Sequence, residues 1–394
     1  MRALQILATW DPKKEYHLTD KEIAEKRALK GNHIYRNPVL EMVEKEMPKP
    51  KDDEVLVKIG ACGVCGSDIE LLFNDDEGYT NWTSQCKWPC TIGHEFAGEV
   101  IECGKDVKYL QNGDLITLEN TVWCGNCMSC RMGMFNHCEN LDEIGFTADG
   151  GFAEYAVVKE KNCYRINDFI NVFGSKEQAL KVGALTEPVA VVYNGMFIRA
   201  GGFLPGSNVV VFGCGMIGLA AIALAKTAGA AKVIAFGGSS EYRLKLAQKV
   251  GADYVFSTAA LKRESCRPAD VIMEITEHRG ASMMVEATEH LNATIPEMED
   301  SLAVGGKIVQ IGFSATKTNI SSTKYQKCAA SYIGTNGNAG HNIYPMIINL
   351  VTSGRLDLSP VISRCYDIDH AIDAIKDSKK TSEGKFLVTP FFNQ

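Results

Sequence analysis

An apolar strand that runs into a glycine fingerprint constrains the fold of this chain more than any other feature. Residues 207–226 read SNVVVFGCGMIGLAAIALAK, with glycines spaced G-x-G-x-x-G. The glycines follow a strand pattern and open an alanine-rich helix, the context that places a dinucleotide pyrophosphate at a helix N-terminus. A tight turn whose glycines serve only packing is the alternative. The predicted cofactor-binding residues here are Gly213, Gly215, Met216, Ile217 and Gly218.

Strand and helix patterns alternate after Pro188. The segments KVIAFGG, YRLKLAQKVGA and DYVF follow the fingerprint, and further strands are predicted at ASMMVEAT and GGKIVQIGF. Such alternation is typical of a doubly wound parallel sheet. Before Pro188, turns rich in glycine and aspartate separate short apolar runs such as FAGEVIEC and FAEYAVVK, which predicts a mostly β domain. The charged stretch from Asp11 to Arg36 is expected to be partly helical.

The composition excludes several classes of protein. With 394 residues the chain is longer than one ordinary core requires, so two domains are expected. A formal net charge of −7 argues against a general binder of nucleic acid or anionic membranes. No run approaches the roughly eighteen apolar residues of a membrane-spanning helix, and the N-terminal residues lack the apolar region that predicts a signal peptide. We expect a cytoplasmic protein with neither a nucleic-acid nor a membrane partner.

Four of the fourteen cysteines lie in one short segment, WCGNCMSCRMGMFNHC. Cysteines in a reducing cytosol are poor disulfide candidates, and tight clustering points to a metal instead. Four thiolates fill the tetrahedral coordination of Zn²⁺ and leave no open position, which predicts a structural zinc site. An iron–sulfur cluster is the alternative for a compact set of four. The predicted ligands are Cys124, Cys127, Cys130 and Cys138.

A second candidate metal site is dispersed along the chain. Cys65 lies in GACGVCGSDIE, His94 lies in TIGHEFAGEV, and Glu187 lies in LTEPVAV. One thiolate, one imidazole and one carboxylate suffice for a catalytic zinc that keeps its fourth position for substrate. Taken singly, each residue has an ordinary structural role, as a buried thiol, a core histidine or a loop carboxylate. Only their joint occurrence predicts a catalytic site.

Together these motifs resemble a zinc-dependent medium-chain alcohol/polyol dehydrogenase of the sorbitol and threonine dehydrogenase-like branch. The resemblance runs from about residue 37 to the C-terminus through GVCGSD, GHEFAGEV, the four-cysteine lobe, GGFAEYAVV, TEPVAV and GCGMIG. It implies an α/β fold in which a GroES-like, mostly β catalytic domain accompanies a Rossmann domain with a doubly wound parallel sheet. The expected bounds are 1–190 with 335–394 for the catalytic domain, about 120–140 for its zinc lobe, and 191–334 for the Rossmann domain.

The resemblance also implies the roles of the site residues. Cys65, His94 and Glu187 are implied as ligands of a catalytic zinc, and Glu95 would lie close to the metal or ligate it. A glutamate as third ligand is similar to the sorbitol and threonine dehydrogenase branch. We therefore expect two Zn²⁺ ions per chain, one catalytic and one structural.

The same resemblance places a proton path beside the zinc. Ser67 is expected to accept the alcohol proton, while the nicotinamide takes the hydride from carbon. Asp68 is expected either to orient a metal ligand or to cap the following turn. Glu70 stands where many relatives carry a histidine, so the proton leaves through Glu70 or through water. The segment Asp11–Arg36 is lacking in most members and either covers the cleft or forms an interface.

The cofactor loop VIAFGGSSEYR lacks the carboxylate that ends this strand in NAD-preferring sites. Gly237 stands at that place by counting from the fingerprint. Ser239 and Ser240 offer hydroxyl groups, and Arg243 offers a cation for a 2′-phosphate. The loop predicts a preference for NADP(H). The alternative is NAD(H), with Glu241 taking over the ribose contact.

The expected activity is hydride transfer between a nicotinamide cofactor and a secondary alcohol or ketone. A polar polyol, cyclitol or aminocyclitol is the expected substrate, and the polar insertion at residues 74–90 is a candidate lining of the cleft. Alternatives are a threonine-type hydroxy amino acid dehydrogenase and a catalytically silent zinc-binding relative. A zinc-free quinone reductase is disfavoured by the complete ligand set, and a nucleic-acid zinc module by the acidic charge. A homo-oligomer, dimeric or tetrameric, is expected.

Overall fold

The structure is a computed structural model that describes residues 1–314, 317–380 and 383–392. The chain forms two compact units. The first holds Met1–Glu187 and most of the chain from Arg364 onward, and the second holds Pro188–Ser363 together with Gly384. No helix among the described residues is both long and apolar enough to cross a membrane.

The described residues form the following helices and strands, numbered in chain order. Strands β1 to β18 are Arg2–Trp10, Tyr35–Glu44, Glu54–Gly63, Cys90–Thr91, Glu95–Cys103, Leu115–Leu118, Thr121–Val122, Asp142–Glu143, Tyr155–Lys159, Cys163–Arg165, Asn208–Phe212, Lys232–Gly237, Tyr254–Ser257, Ala281–Glu286, Leu302–Gln310, Ser331–Gly334, Ile362–Tyr366 and Lys385–Val388. Helices α1 to α14 are Asp20–Glu25, Gly66–Glu70, Met128–Arg131, Phe169–Phe173, Lys176–Ala184, Thr186–Tyr193, Met216–Thr227, Glu241–Lys249, Thr258–Arg263, Pro268–Ile275, Leu291–Asp300, Ser322–Cys328, Ile343–Thr352 and Ala371–Lys380.

The first unit is built mainly from β-strands, as predicted. Its larger sheet has the order β10-β6-β5-β3-β18-β17, with β9 also paired to β3, and a smaller sheet has the order β2-β1-β4. In β3 every residue except Lys58 is buried, so this strand is covered on both faces. Tyr35, Phe96 and Phe152 are among the largest fully buried side chains and lie in the core of this unit. The central strands β3 and β5 thereby form a rigid base for the loops at their ends.

The N-terminal segment Asp11–Arg36 packs onto the polar insertion at residues 74–90 within the same unit. It is partly helical, as expected, because it contains α1. The backbones of Ala28 and Cys86 exchange two hydrogen bonds, of 2.9 and 3.0 Å, and so join the two segments like a short piece of sheet. Both additions therefore form one layer on the first unit.

The second unit contains a six-stranded parallel sheet in the order β13-β12-β11-β14-β15-β16. Numbered from its first strand, this is the order 3-2-1-4-5-6 of a doubly wound dinucleotide-binding sheet. The strand order reverses between β11 and β14, and ligands of such sheets bind outside the carboxyl ends of the strands at that point. The Rossmann architecture expected from the fingerprint is confirmed.

The division of the chain after the last parallel strand differs from the expected bounds. Residues 335–363, which we assigned to the catalytic domain, fall in the second unit. Asn194 Nδ2 donates to the carbonyl oxygens of Asn336 and Gly337, at 3.2 and 2.8 Å. Such long-range hydrogen bonds hold this segment beside the sheet. They cannot be predicted from the local sequence pattern.

Candidate active site

Cys65, His94 and Glu95 come together in the first unit. Their ligand atoms, one from each residue, lie within 4.8 Å of one another. The cause is the antiparallel register of β3 and β5, which sets Gly63 opposite Glu95. Cys65 follows the end of β3, and His94 precedes the start of β5, so the two motifs meet at one edge of the sheet. A Cβ atom at Gly63 would collide with the Glu95 carboxylate, which explains the glycine at that position.

Asp68 caps the following turn, and its expected role in orienting a metal ligand stays a prediction. Its Oδ2 accepts a hydrogen bond from the Cys65 amide at 2.8 Å and so caps the first turn of α2. Its Oδ1 lies 3.8 Å from His94 Nδ1 and faces the imidazole. Burial raises the pKa of Asp68 to about 6, and the charge of His94 opposes that rise. The carboxylate therefore holds the turn that carries Cys65 and lies close to the imidazole without a direct hydrogen bond to it.

Glu95 forms a buried ion pair with Lys385, the first residue of β18. Both side chains are almost completely buried. Burial lowers the pKa of Lys385, but the charges of Glu95 and Cys65 outweigh it and raise that pKa overall. No sequence motif predicts Lys385, because it meets the site only through the pairing of β18 with β3.

Glu187 lies near this group but is not part of it. Among the described residues, the mutually close ligand atoms are those of Cys65, His94 and Glu95, without the Glu187 carboxylate. Glu187 is buried at the start of α6. Burial raises its pKa to about 8; the charge of His94 opposes this shift, and those of Glu95 and Cys65 add to it. Glu187 thus lies within electrostatic reach of the site, and its role as a ligand stays a prediction.

Ser67 stands beside Cys65 in the first turn of α2. Burial raises the pKa of the Cys65 thiol to about 12, and the neighbouring Ser67 hydroxyl acts in the opposite direction. A buried thiol, an imidazole and carboxylates at this spacing fit the donor set of Zn²⁺, since a divalent cation offsets the penalty of burying charged ligands. The first unit therefore contains a donor group suited to a zinc with an open position.

The four cysteines of the predicted structural site also form one group. Their sulfur atoms lie within 4.8 Å of one another, in a loop closed by the antiparallel pairing of β7 and β8. Cys127 Sγ and Cys138 Sγ are 3.9 Å apart. Two sulfurs on one tetrahedral zinc, at about 2.3 Å each from the metal, would be about 3.8 Å apart. The geometry therefore fits a closed, structural zinc.

Backbone amides support thiolates in this lobe. The amide of Asn126 donates to Cys124 Sγ at 3.5 Å, and the amide of Cys130 donates to Cys127 Sγ at 3.5 Å. The hydrogen bond from Asn126 is the main cause that lowers the pKa of Cys124 to about 6. Metal ligation requires the thiolate form, which these amide hydrogen bonds favour at Cys124 and Cys127.

Two protein families match this chain, one in each of its two units. Residues 51–168 match the family described as the alcohol dehydrogenase GroES-like domain, and residues 217–353 match the zinc-binding dehydrogenase family. The chain is 35% identical to scyllo-inosose 3-dehydrogenase of Thermotoga maritima, over 95% of this chain and 96% of that protein. The chain belongs to the zinc-dependent medium-chain alcohol/polyol dehydrogenase family. It is an oxidoreductase of the alcohol and polyol type.

Further relatives agree with this assignment. L-threonine 3-dehydrogenase of Thermococcus kodakarensis is 31% identical over 89% of this chain and 94% of its own length. The solved structure of a proposed alcohol dehydrogenase from Thermotoga maritima is 33% identical, has a TM-score of 0.92, and covers 98% of this chain and 99% of its own. A proposed zinc-binding dehydrogenase from Sinorhizobium meliloti, solved with NADP bound, is 27% identical with a TM-score of 0.77, covering 98% of this chain and 99% of its own.

The three fingerprint glycines of this dehydrogenase have separate structural reasons. Gly213 has a φ of +105°, and a Cβ there would lie 2.6 Å from the Ala287 carbonyl oxygen. A Cβ at Gly218 would collide with the carbonyl of Gly213. Gly215 is the N-cap of α7 and has open space around it, which lets a phosphate approach the helix N-terminus closely. Met216 and Ile217 form the first turn of that helix.

The end of β12 is open at Gly238 rather than at Gly237. Gly237 is buried, and a Cβ there would lie 2.9 Å from Cys214 Sγ. Gly238 is exposed, and a Cβ there would have no neighbour within 4 Å. The space that we attributed to the missing carboxylate at Gly237 is therefore one residue further along the loop.

The side chains of the following loop have local roles. Ser239 is exposed, and Ser240 is the N-cap of α8, with its Oγ accepting a hydrogen bond from the Arg243 amide at 3.3 Å. Arg243 Nε donates to the carbonyl oxygen of Glu383 at 2.8 Å. Burial lowers the pKa of Arg243. The structure thus gives one guanidinium nitrogen of Arg243 a protein partner, and its role toward a phosphate stays a prediction.

A cavity of about 500 Å³ lies at the carboxyl ends of β11 and β12 in the second unit. Gly213 of the fingerprint lines it, whereas Ser239, Ser240 and Arg243 do not. It is lined by several residues that no motif predicts, among them Gly238, Thr258, Lys262, Arg267, His290 and Glu297. Its place at the carboxyl ends of the strands agrees with the cofactor position in such sheets.

An aromatic and polar wall stands beside His94 in the first unit. The Phe146 ring lies 4.8 Å from the imidazole, and Trp82 stacks on Phe146 with ring centroids 4.9 Å apart. Next to these rings, Gln85 Nε2 donates to Glu143 Oε2 at 3.3 Å. Burial raises the pKa of Glu143, and its charge interacts with that of His94.

The N-terminal segment holds this wall in place. Arg27 Nη2 donates to Gln85 Oε1 at 2.8 Å, and Arg27 Nη1 donates to Asp142 Oδ1 at 2.7 Å. Arg27 therefore fixes the Gln85 amide with its oxygen toward the guanidinium and its NH₂ group toward Glu143. No sequence motif predicts Glu143 as a site residue.

Proposed function

We propose that this enzyme interconverts a secondary hydroxyl and a ketone on a cyclitol-type polyol, with NADP(H) as the preferred cofactor. The group formed by Cys65, His94 and Glu95 is the observation that carries the proposal, because it offers a zinc site at one edge of a rigid sheet. The cyclitol class is supported by the similarity to scyllo-inosose 3-dehydrogenase. A cytoplasmic location and a homo-oligomeric state remain part of this proposal, and the fourteen free thiols agree with a reducing compartment.

Each residue at this site is proposed to have a separate role in alcohol oxidation. Bound by Cys65 and His94 with Glu187 as the proposed third ligand, zinc would supply Lewis acidity that favours an alkoxide over an alcohol. Ser67 is proposed to take the alcohol proton, since it stands in the same helical turn as Cys65. Asp68 is proposed to orient the imidazole of His94, since its Oδ1 lies 3.8 Å from His94 Nδ1.

Two zinc ions per chain are proposed, because the structure contains two separate donor groups. The four-cysteine group is closed and fits a structural ion, whereas the other group leaves a position for substrate. The preference for NADP(H) is supported by the open space at Gly238, where no carboxylate stands to repel a 2′-phosphate. The Sinorhizobium relative solved with NADP is a further support.

The test of the proposed function is a substrate and cofactor panel on zinc-loaded enzyme. We expect kcat/KM for a cyclitol to exceed that for L-threonine and for a simple secondary alcohol by at least about 100-fold, because each recognised hydroxyl adds a hydrogen bond. We also expect a higher kcat/KM with NADP⁺ than with NAD⁺. A preference for L-threonine would establish the threonine-type alternative, which the Thermococcus relative favours. Absence of turnover with every alcohol, at full zinc content, would identify a silent relative.

Glu143 and Gln85 are proposed to bind the hydroxyl groups of the substrate that do not react. We expect Glu143→Gln to raise KM for the cyclitol roughly 10-fold or more, because a hydrogen bond to a charged group contributes about 1.5–3 kcal/mol. A simple secondary alcohol lacks those hydroxyls, and its kinetic constants are expected to change by less than about 2-fold. Steady-state kinetics with both substrates provide the measurement. Glu102→Gln, on the exposed side of β5, is the matched control.

A further inference from the structure

Lys262 lies on the face of α9 that is turned toward the end of β12. It lines the cavity together with Gly237, Gly238 and Thr258. Thr258 and Lys262 are four residues apart, so their side chains share one helix face. Thr258 Oγ1 donates to the Gly237 carbonyl oxygen at 3.1 Å and so fixes that face against the strand end. Lys262 and Gly238 therefore line the same cavity, on the side where β12 ends.

The surroundings of Lys262 favour the binding of a negatively charged ligand group in the cavity. Gly238 has open space and no side chain, and its carbonyl oxygen accepts a hydrogen bond from Ser257 Oγ at 2.8 Å. Glu297 is the only acid among the described lining residues. Its carboxylate already accepts from Arg267 Nε at 3.2 Å and from the Ala269 amide at 2.9 Å. No unpaired carboxylate in the described lining opposes an anion.

Two other cations near the cavity are less available to a ligand inside it, because Arg267 is paired and Arg243 lies outside the lining. Arg267 pairs with both Glu297 and Asp300, the latter at 2.5 Å. Arg243 Nε donates to Glu383, and its side chain does not line the cavity. Lys262 is exposed, and within the described part of the chain its ammonium forms no hydrogen bond or ion pair.

His290, another lining residue, is separated from Gly238 by the order of the sheet. It follows β14, whereas Gly238 follows β12, and β11 lies between those two strands. The imidazole therefore belongs to the opposite side of the fingerprint from the loop where a 2′-phosphate would be recognised. Of the lining residues Arg267, His290 and Lys262, it is Lys262 that is unpaired among the residues described and lies on the same side as that loop.

We propose that Lys262 recognises the 2′-phosphate of NADP(H) and determines the cofactor preference of this enzyme. This inference rests on the proposed preference for NADP(H), and it assigns to Lys262 the role that the sequence pattern suggested for Arg243. The ammonium donates charge-assisted hydrogen bonds to phosphate oxygens in the space left by Gly238. NAD(H) has a hydroxyl at the same place and gains little from the lysine.

Direct binding of the cofactors to the zinc-loaded enzyme tests this inference without any turnover. Isothermal titration calorimetry gives Kd for NADP⁺ and NAD⁺, with adenosine 2′,5′-bisphosphate and 5′-AMP as smaller probes. Lys262→Ala is expected to weaken NADP⁺ and the bisphosphate roughly 10- to 100-fold, and NAD⁺ and 5′-AMP by less than about 2-fold. Lys262→Glu is expected to weaken NADP⁺ further. Arg263→Ala, the adjacent exposed residue outside the cavity lining, is the matched control and should leave all four values unchanged.

The dependence of NADP⁺ affinity on salt concentration tests the same contact independently. NADP⁺ affinity in the wild type is expected to fall as ionic strength rises, and Lys262→Ala is expected to reduce that dependence. If wild type favours NADP⁺ and Lys262→Ala leaves the NADP⁺/NAD⁺ ratio unchanged, the assignment of Lys262 is wrong, whether or not Arg243→Ala lowers the ratio. If wild type favours NAD⁺, the proposed cofactor preference itself fails. The two failures are therefore distinguishable.

Discussion

Replacement of Cys127 by serine is expected to remove one zinc per chain and to lower the melting temperature by roughly 10 °C or more, because structural zinc contributes directly to folding. Cys127 is the residue whose sulfur both caps α3 and lies 3.9 Å from Cys138 Sγ. Its loss breaks a closed donor set that the short loop between β7 and β8 cannot replace with apolar contacts. Metal analysis by mass spectrometry and differential scanning calorimetry provide the two measurements.

Two further cysteine variants make this result specific. Cys328→Ser, in α12 and outside both donor groups, is the control and should keep two zinc ions and the wild-type melting temperature. Cys65→Ser is expected to lose one zinc and its turnover while its melting temperature falls by much less than that of Cys127→Ser. An active wild-type preparation with fewer than two zinc ions per chain would contradict the assignment of two sites, as would equal effects of the two ligand variants on stability.

Local patterns predicted the parts of the site that depend on neighbours in sequence. The fingerprint glycines could be identified because a strand, a turn and a helix follow one another without interruption. Cys65, His94 and Glu95 come together because their motifs flank the ends of β3 and β5, and the pairing of those two strands brings the ends together. The four-cysteine lobe folds within its own segment. The fingerprint and the four-cysteine lobe each lie within one short stretch of chain, whereas Cys65 and His94 meet through the pairing of β3 with β5 and are implied in the sequence by the family resemblance.

Partners that come from distant segments could not be predicted in this way. Lys385 reaches Glu95 because β18 pairs with β3, and nothing near Glu95 in sequence announces a lysine. Arg243 is predicted as a phosphate ligand from its position, and that pattern does not reveal that its Nε donates to the Glu383 carbonyl oxygen, much later in the chain. Lys262 stands in the short helix α9, whose Thr258 donates a hydrogen bond to the Gly237 carbonyl oxygen of a separate strand. Periodicity identifies such a helix but not what its face meets.

The two chain additions show the same limit. The sequence distinguished the segment Asp11–Arg36 and the insertion at residues 74–90 as extra material, but it did not relate them. The structure joins them by paired backbone hydrogen bonds between Ala28 and Cys86 and by the bond from Arg27 to Gln85. Their shared layer ends at the rings beside His94. The proposed recognition of a polyol therefore depends on a layer that neither segment could build alone.

Removal of the Ser67 hydroxyl is expected to lower kcat by roughly 10²–10⁴-fold, the usual contribution of a positioned proton transfer. Ser67→Ala leaves α2 intact, because Asp68 caps its first turn through the Cys65 amide. Zinc content and cofactor Kd are therefore expected to stay at their wild-type values. Ser67→Thr retains a hydroxyl at the same position and should recover most of the lost turnover, which a purely structural role would not require.

Kinetics with deuterated alcohol identify which step the Ser67 variant affects. If hydride transfer limits kcat, a primary isotope effect appears in wild type. The kcat of Ser67→Ala should remain below that of wild type but rise with pH, because hydroxide in solution then replaces the missing proton acceptor. The rise with pH is expected to be absent from Ser67→Thr. Unchanged turnover in Ser67→Ala across the pH range, with the isotope effect present, would exclude Ser67 from the proton path and leave Glu70 or water as the remaining acceptor.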